Sequence, residues 1–142
     1  LPISVGQSAR YSQYLLVDAC LAGDARRAFR IIDSLMQEGV STVQLQYALS
    51  GAVTHLLRLK AAQMQGGLSP ALWSQLRIWQ SKQRLYQTAL PRFSLPQLER
   101  LLQTCASLDR ISKGQQPSSP GDDWRLVRQL VRALCGLRLK AA

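Results

Sequence analysis

Apolar residues recur every three or four positions along almost the whole chain. No stretch keeps the alternation of apolar and polar residues that a half-buried strand requires. The longest stripe begins at Leu45 and continues through Leu49, Val53 and Leu56. This spacing places the apolar side chains on one face of a helix. The sequence therefore predicts an all-α fold, in which six or seven helices form a single compact bundle.

Residues that start or stop helices divide the chain into these helices. The first helix is predicted over 12–22 and ends at Gly23, and the second begins after an Asp24 N-cap and ends at Gly39. The polar segment 114–122 is predicted to be a flexible loop before the last helix. The remaining N-caps are predicted at Ser41 and Ser94, each in a capping box with the glutamine three residues later (Gln44, Gln97), at Ser69 before Pro70, and at Asp122 or Asp123.

The apolar stripes also predict which other residues are buried. Trp73 and Trp124 fit the stripes of their helices and are predicted to lie in the core. The stripes further include Met36 and Met64. The cysteines are odd in number and fall among apolar residues, which predicts small buried thiols in a reducing compartment at Cys20, Cys105 and Cys135.

The charge balance bears on the kind of partner. Eighteen Lys and Arg against eight Asp and Glu give a formal net charge of +10. A field of this sign favours a polyanion, either nucleic acid or an acidic protein surface. Because the basic residues are spread along the chain, an ordinary solvated surface is an equal alternative.

The sequence lacks the patterns of several kinds of site. It has no glycine-rich loop closing on Lys and Ser/Thr, and its acidic residues suggest no carboxylate pair for acid–base chemistry. His55, the single histidine, adjoins the stripe of the third helix and is predicted to be structural. One histidine and no paired cysteines do not make a zinc site. We therefore predict a chain that is not an enzyme and uses no cofactor, metal or small-molecule substrate.

The length and the ends of the sequence predict its organisation. At 142 residues the chain is most simply one domain, residues 1–142, with a substantial core. No run approaches the roughly 20 apolar residues of a membrane-spanning helix, so no membrane contact is predicted. The chain begins with Leu1 and shows no signal-like start, which indicates a piece of a longer protein.

Several motifs together resemble the C-terminal domain family of the delta subunit of bacterial DNA polymerase III. The family's opening pattern has Asp-Ala, Gly, Arg-Ala, Leu and Glu-Gly, and this chain has the same residues in the same order. The resemblance extends from about Tyr14 to Cys135 and depends on the order and spacing of the motifs. The matching segments are VDACLAGDARRAFRIIDSLMQEG at 17–39, LRLK at 57–60, RIWQSKQ at 77–83, SLPQLERLL at 94–102, and the last helix from Trp124 to Cys135.

The resemblance implies a helical collar domain of a cytoplasmic clamp loader. In the family this domain holds delta in a ring of five subunits, beside delta-prime and gamma/tau, while an N-terminal domain outside this sequence opens the sliding clamp. Delta has no working ATP site, in agreement with the missing phosphate loop. The implied function is non-catalytic assembly, so that the clamp is loaded on primed DNA. A stand-alone basic helical nucleic-acid-binding domain is the alternative.

The resemblance also assigns Trp79 to the single-stranded template near the primer junction. A base stacked on an aromatic ring gains about 1–3 kcal/mol, and Arg77, Lys82 and Arg84 would hold the phosphates. A core or helix-junction anchor is the alternative reading of Trp79. The family can carry a tyrosine at the end of the penultimate helix, where this chain has glutamines at 115–116 and then PSSPG.

A basic row is predicted on the last helix. Arg125, Arg128 and Arg132 recur at helical spacing and would lie on one face. Such a row is either a contact with a neighbouring subunit or DNA, or a solvated face.

Overall fold

A computed structural model describes the backbone of residues 5–137 and the side chains of 12–137; the ends of the predicted domain, 1–4 and 138–142, lie outside the described residues. Within them the chain forms seven α-helices and no strand, which confirms the all-α prediction. The helices are α1 (Val5–Ala22), α2 (Ala25–Gln37), α3 (Thr42–Met64), α4 (Pro70–Gln75), α5 (Gln80–Ala89), α6 (Leu95–Ser112) and α7 (Asp122–Leu134), with a 3₁₀ turn (Leu90–Arg92) between α5 and α6.

The long stripe makes α3 the central helix. It packs against α1, α6 and α7, and α1 also contacts α2 and α5. Leu45, Leu49, Val53 and Leu56 are completely buried, as the spacing predicts. Because burying a leucine or valine side chain contributes about 1.5–3 kcal/mol, this stripe is a major source of the stability of the bundle.

The other predictions of burial are confirmed except at two methionines. Trp73 is buried, and Trp124 packs partly buried against the core. Met36 and Met64 are instead 40% and 68% exposed: Leu35 takes the core position beside Met36, and Met64 lies beyond Leu59, the last buried residue of α3. The three cysteines are buried and free: Cys20, Cys105 and Cys135.

Side chains cap the starts of four helices at the predicted residues. Ser94 and Gln97 form the complete capping box: the Ser94 N–H donates to Gln97 Oε1 at 2.8 Å, and the Gln97 N–H donates to Ser94 Oγ at 3.3 Å. Ser41 Oγ accepts from Val43 N–H at 3.1 Å, the second helical residue and not the third, as a box with Gln44 would require. The other two caps are Asp24 and Ser69.

The cap predicted for α7 is wrong. Gly121 occupies the N-cap position, and Asp122 and Asp123 lie in the first turn. Asp122 Oδ2 accepts from Ser119 N–H at 2.8 Å, and Asp123 Oδ2 accepts from Thr42 Oγ1 at 2.9 Å. Both carboxylates therefore lie where the helix dipole favours negative charge, while Asp123 also ties α7 to the start of α3.

The bounds of α1 and of the segment before α7 differ from the predicted bounds. α1 begins at Val5, well before the predicted start at Ser12, because residues 5–11 carry no apolar stripe from which a helix could be inferred. Residues 113–121 connect α6 to α7 and nearly coincide with the predicted loop. The flexibility of that loop stays a prediction.

The side chain of Arg92, in the 3₁₀ turn, joins the C-terminal ends of α1 and α7. Its Nη1 donates to Leu134 O at 2.6 Å and to Cys20 O at 3.0 Å, and its Nη2 donates to Leu21 O at 3.0 Å. Carbonyls in the last turn of a helix have no intrahelical donor, and the dipole there favours a cation. One guanidinium therefore satisfies three acceptors on two helices that are distant in sequence.

Two glycines leave room for this guanidinium. A Cβ at Gly136 would lie 2.6 Å from Arg92 Cδ, and one at Gly23 would lie 3.2 Å from Arg92 Nη2. Both residues also have left-handed backbone, with φ of 82° and 78°, in the position where glycine usually ends a helix. Glycine at these two ends is therefore required both by the backbone and by the arginine.

We expect Arg92→Ala to lower the free energy of unfolding by about 3 kcal/mol, because three helix-end carbonyls lose a charged donor. Arg92→Lys should restore only part of the loss, since an ammonium cannot reproduce the planar fork. Urea denaturation followed by circular dichroism measures both effects. Arg26→Ala, which removes an exposed arginine of α2, is the control and should cost less than about 0.5 kcal/mol. Equal losses for Arg92→Ala and Arg26→Ala would contradict the assignment.

Candidate nucleic-acid interface

Trp79 is the most exposed of the large apolar side chains that the structure describes, at 78%. It occupies the N-cap position of α5 with an extended backbone, and its side chain makes no capping hydrogen bond. Trp73, six residues earlier, is only 6% exposed. The core or helix-junction alternative for Trp79 is therefore wrong, and the side chain is available for contact with another molecule.

The end of α4 explains why Trp79 faces solvent. The Ile78 N–H donates to Trp73 O at 3.1 Å and the Arg77 N–H donates to Ser74 O at 3.0 Å, the two hydrogen bonds of a Schellman motif. Ile78 is 7% exposed and belongs to the core cluster. Because Ile78 takes the core position after the helix, the backbone carries the next side chain, Trp79, outward.

Arg77 adopts a backbone conformation that favours glycine. Its φ is 57°, and it is the one non-glycine residue with a positive φ among the residues described. Helices α1, α2, α6 and α7 end in the same pair of hydrogen bonds with a glycine at this position. A left-handed non-glycine residue costs about 1–3 kcal/mol, and residues strained in this way cluster at functional sites. The strain therefore singles out the position beside Trp79.

Trp79 borders a cleft of about 500 Å³ between α1, α3 and α5. Its rim carries a second aromatic ring, Tyr14, which is 62% exposed. Val17, Leu21 and Ile78 supply apolar surface to the cleft. The remaining lining residues are Asp18, His55, Arg77, Lys82 and Tyr86.

The four residues predicted to bind nucleic acid are not equivalent in the structure. Trp79, Arg77 and Lys82 line the same cleft, whereas Arg84 is exposed on α5 and does not line it. Lys82 Nζ lies 2.6 Å from Asp18 Oδ2, an ion pair between α5 and α1. Within the described residues, Arg77 and Arg84 have no ion pair. Arg77 is therefore the cation next to the ring that has no carboxylate partner there.

His55 and Tyr86 lie together in the wall of the cleft. His55 Nδ1 lies 3.3 Å from Tyr86 Oη, and the two rings meet edge to face with centroids 5.8 Å apart. Burial and then the nearby Arg58 lower the pKa of His55, while burial and then Asp18 raise the pKa of Tyr86 to about 12. Both side chains are thus neutral at neutral pH, in agreement with a structural role for His55.

The predicted basic row on α7 is present, but each arginine has a partner within the chain. Arg128 Nη2 lies 2.6 Å from Asp33 Oδ1 of α2, and the Arg132 guanidinium lies 6.0 Å from the centroid of the Phe29 ring. Arg125 lies 3.4 Å from Asp122 and has a side chain that is 70% exposed. Arg128 and Arg132 therefore bind α2 to α7, and Arg125 faces solvent more than Arg128 does.

A groove with an apolar floor runs beside this row. Two adjoining clefts, of about 610 and 440 Å³, share Gln129, Ala133 and Leu137. Phe93 and Leu101 extend the apolar floor, and Leu137 is 46% exposed. We call this surface the α6–α7 groove; its rim carries Arg100, Arg125, Arg128 and Arg132.

Sequence reasoning did not identify two further exposed aromatic residues. Tyr14 and Tyr47 are both 62% exposed, and Lys113 Nζ lies 5.6 Å from the centroid of the Tyr47 ring. Both tyrosines lie off the apolar stripes of their helices, and this position in the sequence could have predicted that they are exposed.

Among the described residues, no group of three His, Cys, Asp or Glu side chains could hold a metal, and no helix has the length and hydropathy to cross a membrane.

The chain is similar in sequence to the C-terminal part of known clamp-loader subunits. A family model described as "Processivity clamp loader gamma complex DNA pol III C-term" matches residues 13–140. DNA polymerase III subunit delta of Haemophilus influenzae is 30% identical over 117 residues, covering 77% of this chain and 34% of the relative. DNA polymerase III subunit delta of Escherichia coli is 32% identical over 132 residues, covering 93% of this chain and 37% of the relative. The chain thus spans about a third of the length of these relatives.

We expect Arg77→Gly to raise the free energy of unfolding by about 0.5–1 kcal/mol, because glycine removes the left-handed strain at some cost in chain entropy. Arg77→Ala is the matched variant, since it removes the same charge and keeps a Cβ. It should give no such gain. Chemical denaturation of the two variants beside the unmodified chain makes the comparison, and equal stabilities for glycine and alanine would show that the position is not strained.

Proposed function

The chain belongs to the family of the C-terminal domain of the DNA polymerase III delta subunit, and on that premise we propose that it is a non-catalytic assembly domain of the clamp loader that also contacts single-stranded template. It would hold its subunit in a collar beside gamma/tau and delta-prime subunits in the cytoplasm. The part of the protein outside this chain would then open the sliding clamp. The exposure of Trp79 carries the proposal of a DNA contact.

The cleft around Trp79 suits a strand with unpaired bases. An exposed ring can stack on any base, which gives affinity without sequence preference. Arg77 lies beside the ring and can neutralise a phosphate, as can Lys82 if the phosphate competes with Asp18. Tyr14 offers a second ring on the same rim. Base stacking and phosphate contacts are thus both available within one cleft.

The α6–α7 groove suits a neighbouring collar domain. Apolar floor residues Leu101, Ala133 and Leu137 are surrounded by arginines, the arrangement of an apolar interface core with a polar rim. The basic rim complements an acidic protein surface. Gamma/tau or delta-prime is therefore the proposed occupant.

A stand-alone nucleic-acid-binding domain is the second candidate, and the net charge of +10 favours it. Such a domain would bind DNA tightly by itself, with a steep loss of affinity as salt rises, because cations that bind phosphates release counterions. A collar domain would bind DNA weakly alone and retain its partner subunits.

We expect Trp79→Ala to weaken binding to a primer–template with a single-stranded overhang by about tenfold, as the loss of one stacked base predicts. The salt dependence should not change, because no charge is removed. Arg77→Gly should instead reduce the slope of log affinity against log salt by about 0.7. Fluorescence anisotropy at several salt concentrations separates the two effects.

Trp79→Phe, which keeps a ring, and Met64→Ala, which removes another exposed apolar side chain, are the controls for this measurement. Both should bind nearly as well as the unmodified protein. Unchanged affinity in Trp79→Ala would refute the DNA contact, and tight DNA binding without retention of partner subunits would favour the second candidate.

We expect Leu137→Asp to weaken the retention of gamma/tau and delta-prime by about tenfold or more, because it removes an apolar contact from the floor of the interface and a carboxylate placed there must lose its hydration. Arg125→Glu should act in the same direction by reversing a rim charge. Size-exclusion chromatography of the reconstituted complex measures retention. Arg26→Glu on α2 is the charge-matched control, and a loss equal to that of Arg125→Glu would show a general charge effect.

A further inference from the structure

Gly51 occupies the middle of α3, where the fold gives no reason for a glycine. A Cβ at this position would meet no atom within 4 Å, and the residue has no left-handed backbone. Glycine in a helix interior is destabilising relative to alanine, because the unfolded chain loses more freedom on folding. Elsewhere in proteins a glycine without an internal role often marks a place where another backbone or a ligand comes close.

Gly51 lies between two surfaces that already have exposed aromatic rings. Tyr47 is one turn towards the start of α3, and His55, in the wall of the Trp79 cleft, is one turn towards its end. Residues four apart share a helix face, and the eight residues from Tyr47 to His55 span about 12 Å. The surface from the Trp79 cleft to Tyr47 is therefore continuous along α3, and we call it the α3 track.

The charges along the α3 track favour an anion. The 23 residues of α3 include no Asp or Glu, while Arg58 is exposed on the same helix. At the other end, Lys113 Nζ lies over the Tyr47 ring and also 2.9 Å from Asp109 Oδ1. The lysine holds the ring from one side and contributes a cation that is partly neutralised by its carboxylate partner.

The side chains between the rings favour nucleic acid over a protein. Thr54 is exposed and Ser50 is half-buried, so the middle of the track is small and polar. A protein interface of comparable size would be expected to have an apolar centre with a polar rim, the reverse of this arrangement. Separated rings with a narrow polar path between them fit bases a few nucleotides apart, joined by a sugar–phosphate backbone.

We propose that a single strand leaving the Trp79 cleft follows the α3 track, with its sugar–phosphate backbone over Gly51 and a further base stacked on Tyr47. The inference rests on the proposed function, because it extends the same strand beyond Trp79. Gly51 admits the backbone closely since it has no side chain, and Lys113, 5.6 Å from the centroid of the Tyr47 ring, helps to hold that ring in place.

The test is Gly51→Ala in the full-length subunit assembled with its clamp-loader partners. The Tm of the domain should rise by about 2 °C, as alanine favours the helix. Affinity for a primer–template with an overhang of about 12 nucleotides should fall about threefold or more, whereas that for an overhang of about 2 nucleotides, too short to pass from Trp79 to Tyr47, should not change. A variant that is more stable and yet binds more weakly cannot owe its defect to unfolding.

Tyr47→Ala should lower affinity for the longer overhang by about tenfold, and Tyr47→Phe should retain it. Gln103→Ala, on the exposed face of α6, is the control for surface substitution. If Trp79→Ala weakens binding while Gly51→Ala and Tyr47→Ala do not, the α3 track is wrong and the proposed function stands. If none of the three changes DNA binding, the proposed contact of Trp79 with DNA fails together with the α3 track, and the assembly role is left to the retention experiment. Loss of partner subunits with unchanged DNA affinity would instead identify a protein interface and overturn the inference.

Discussion

The packing of the C-terminal ends of α1 and α7 against each other depends on one cation, the guanidinium of Arg92. Apolar stripes determine which faces of α1 and α7 are buried, but the hydrophobic effect has no direction and does not set where those helices meet. The Arg92 guanidinium has donors in a fixed plane, and its bonds to Cys20 O, Leu21 O and Leu134 O fix that meeting point. At the same junction, the neighbouring Cys135 thiol and then burial raise the pKa of the Cys20 thiol.

The candidate DNA site has a different physical origin, because it results from how α4 ends. Ile78 turns into the core and Trp79 turns out, and this arrangement requires the strained backbone of Arg77. The chain therefore gives up some stability at the residue that also supplies the cation next to the ring. Glycine would satisfy the backbone but would leave the ring without that charge, so a single residue meets two demands that conflict.

The sequence predicted the helices well because burial acts on a period that can be read directly, as in the Leu45 to Leu56 stripe. It could not predict that Arg92 reaches Leu134, since a bond between a side chain and a distant carbonyl leaves no local pattern. It left the orientation of Trp79 open because Ile78 and Trp79 are adjacent and both apolar, and only the left-handed turn at Arg77 decides which one is buried. The α7 row was visible from spacing, but its ties to Asp33 and Phe29 required the fold.

The ion pair between Lys82 and Asp18 has a consequence for how fast a bound strand could leave. Lys82 Nζ lies 2.6 Å from Asp18 Oδ2, so a phosphate that binds Lys82 must displace the Asp18 carboxylate. Lys82 would then exchange one anionic partner for another. The net gain in free energy from such an exchange would be small, and when the phosphate departed, the Asp18 carboxylate would pair with Lys82 again. On the proposed function, such a contact would guide a strand past the collar with little retention.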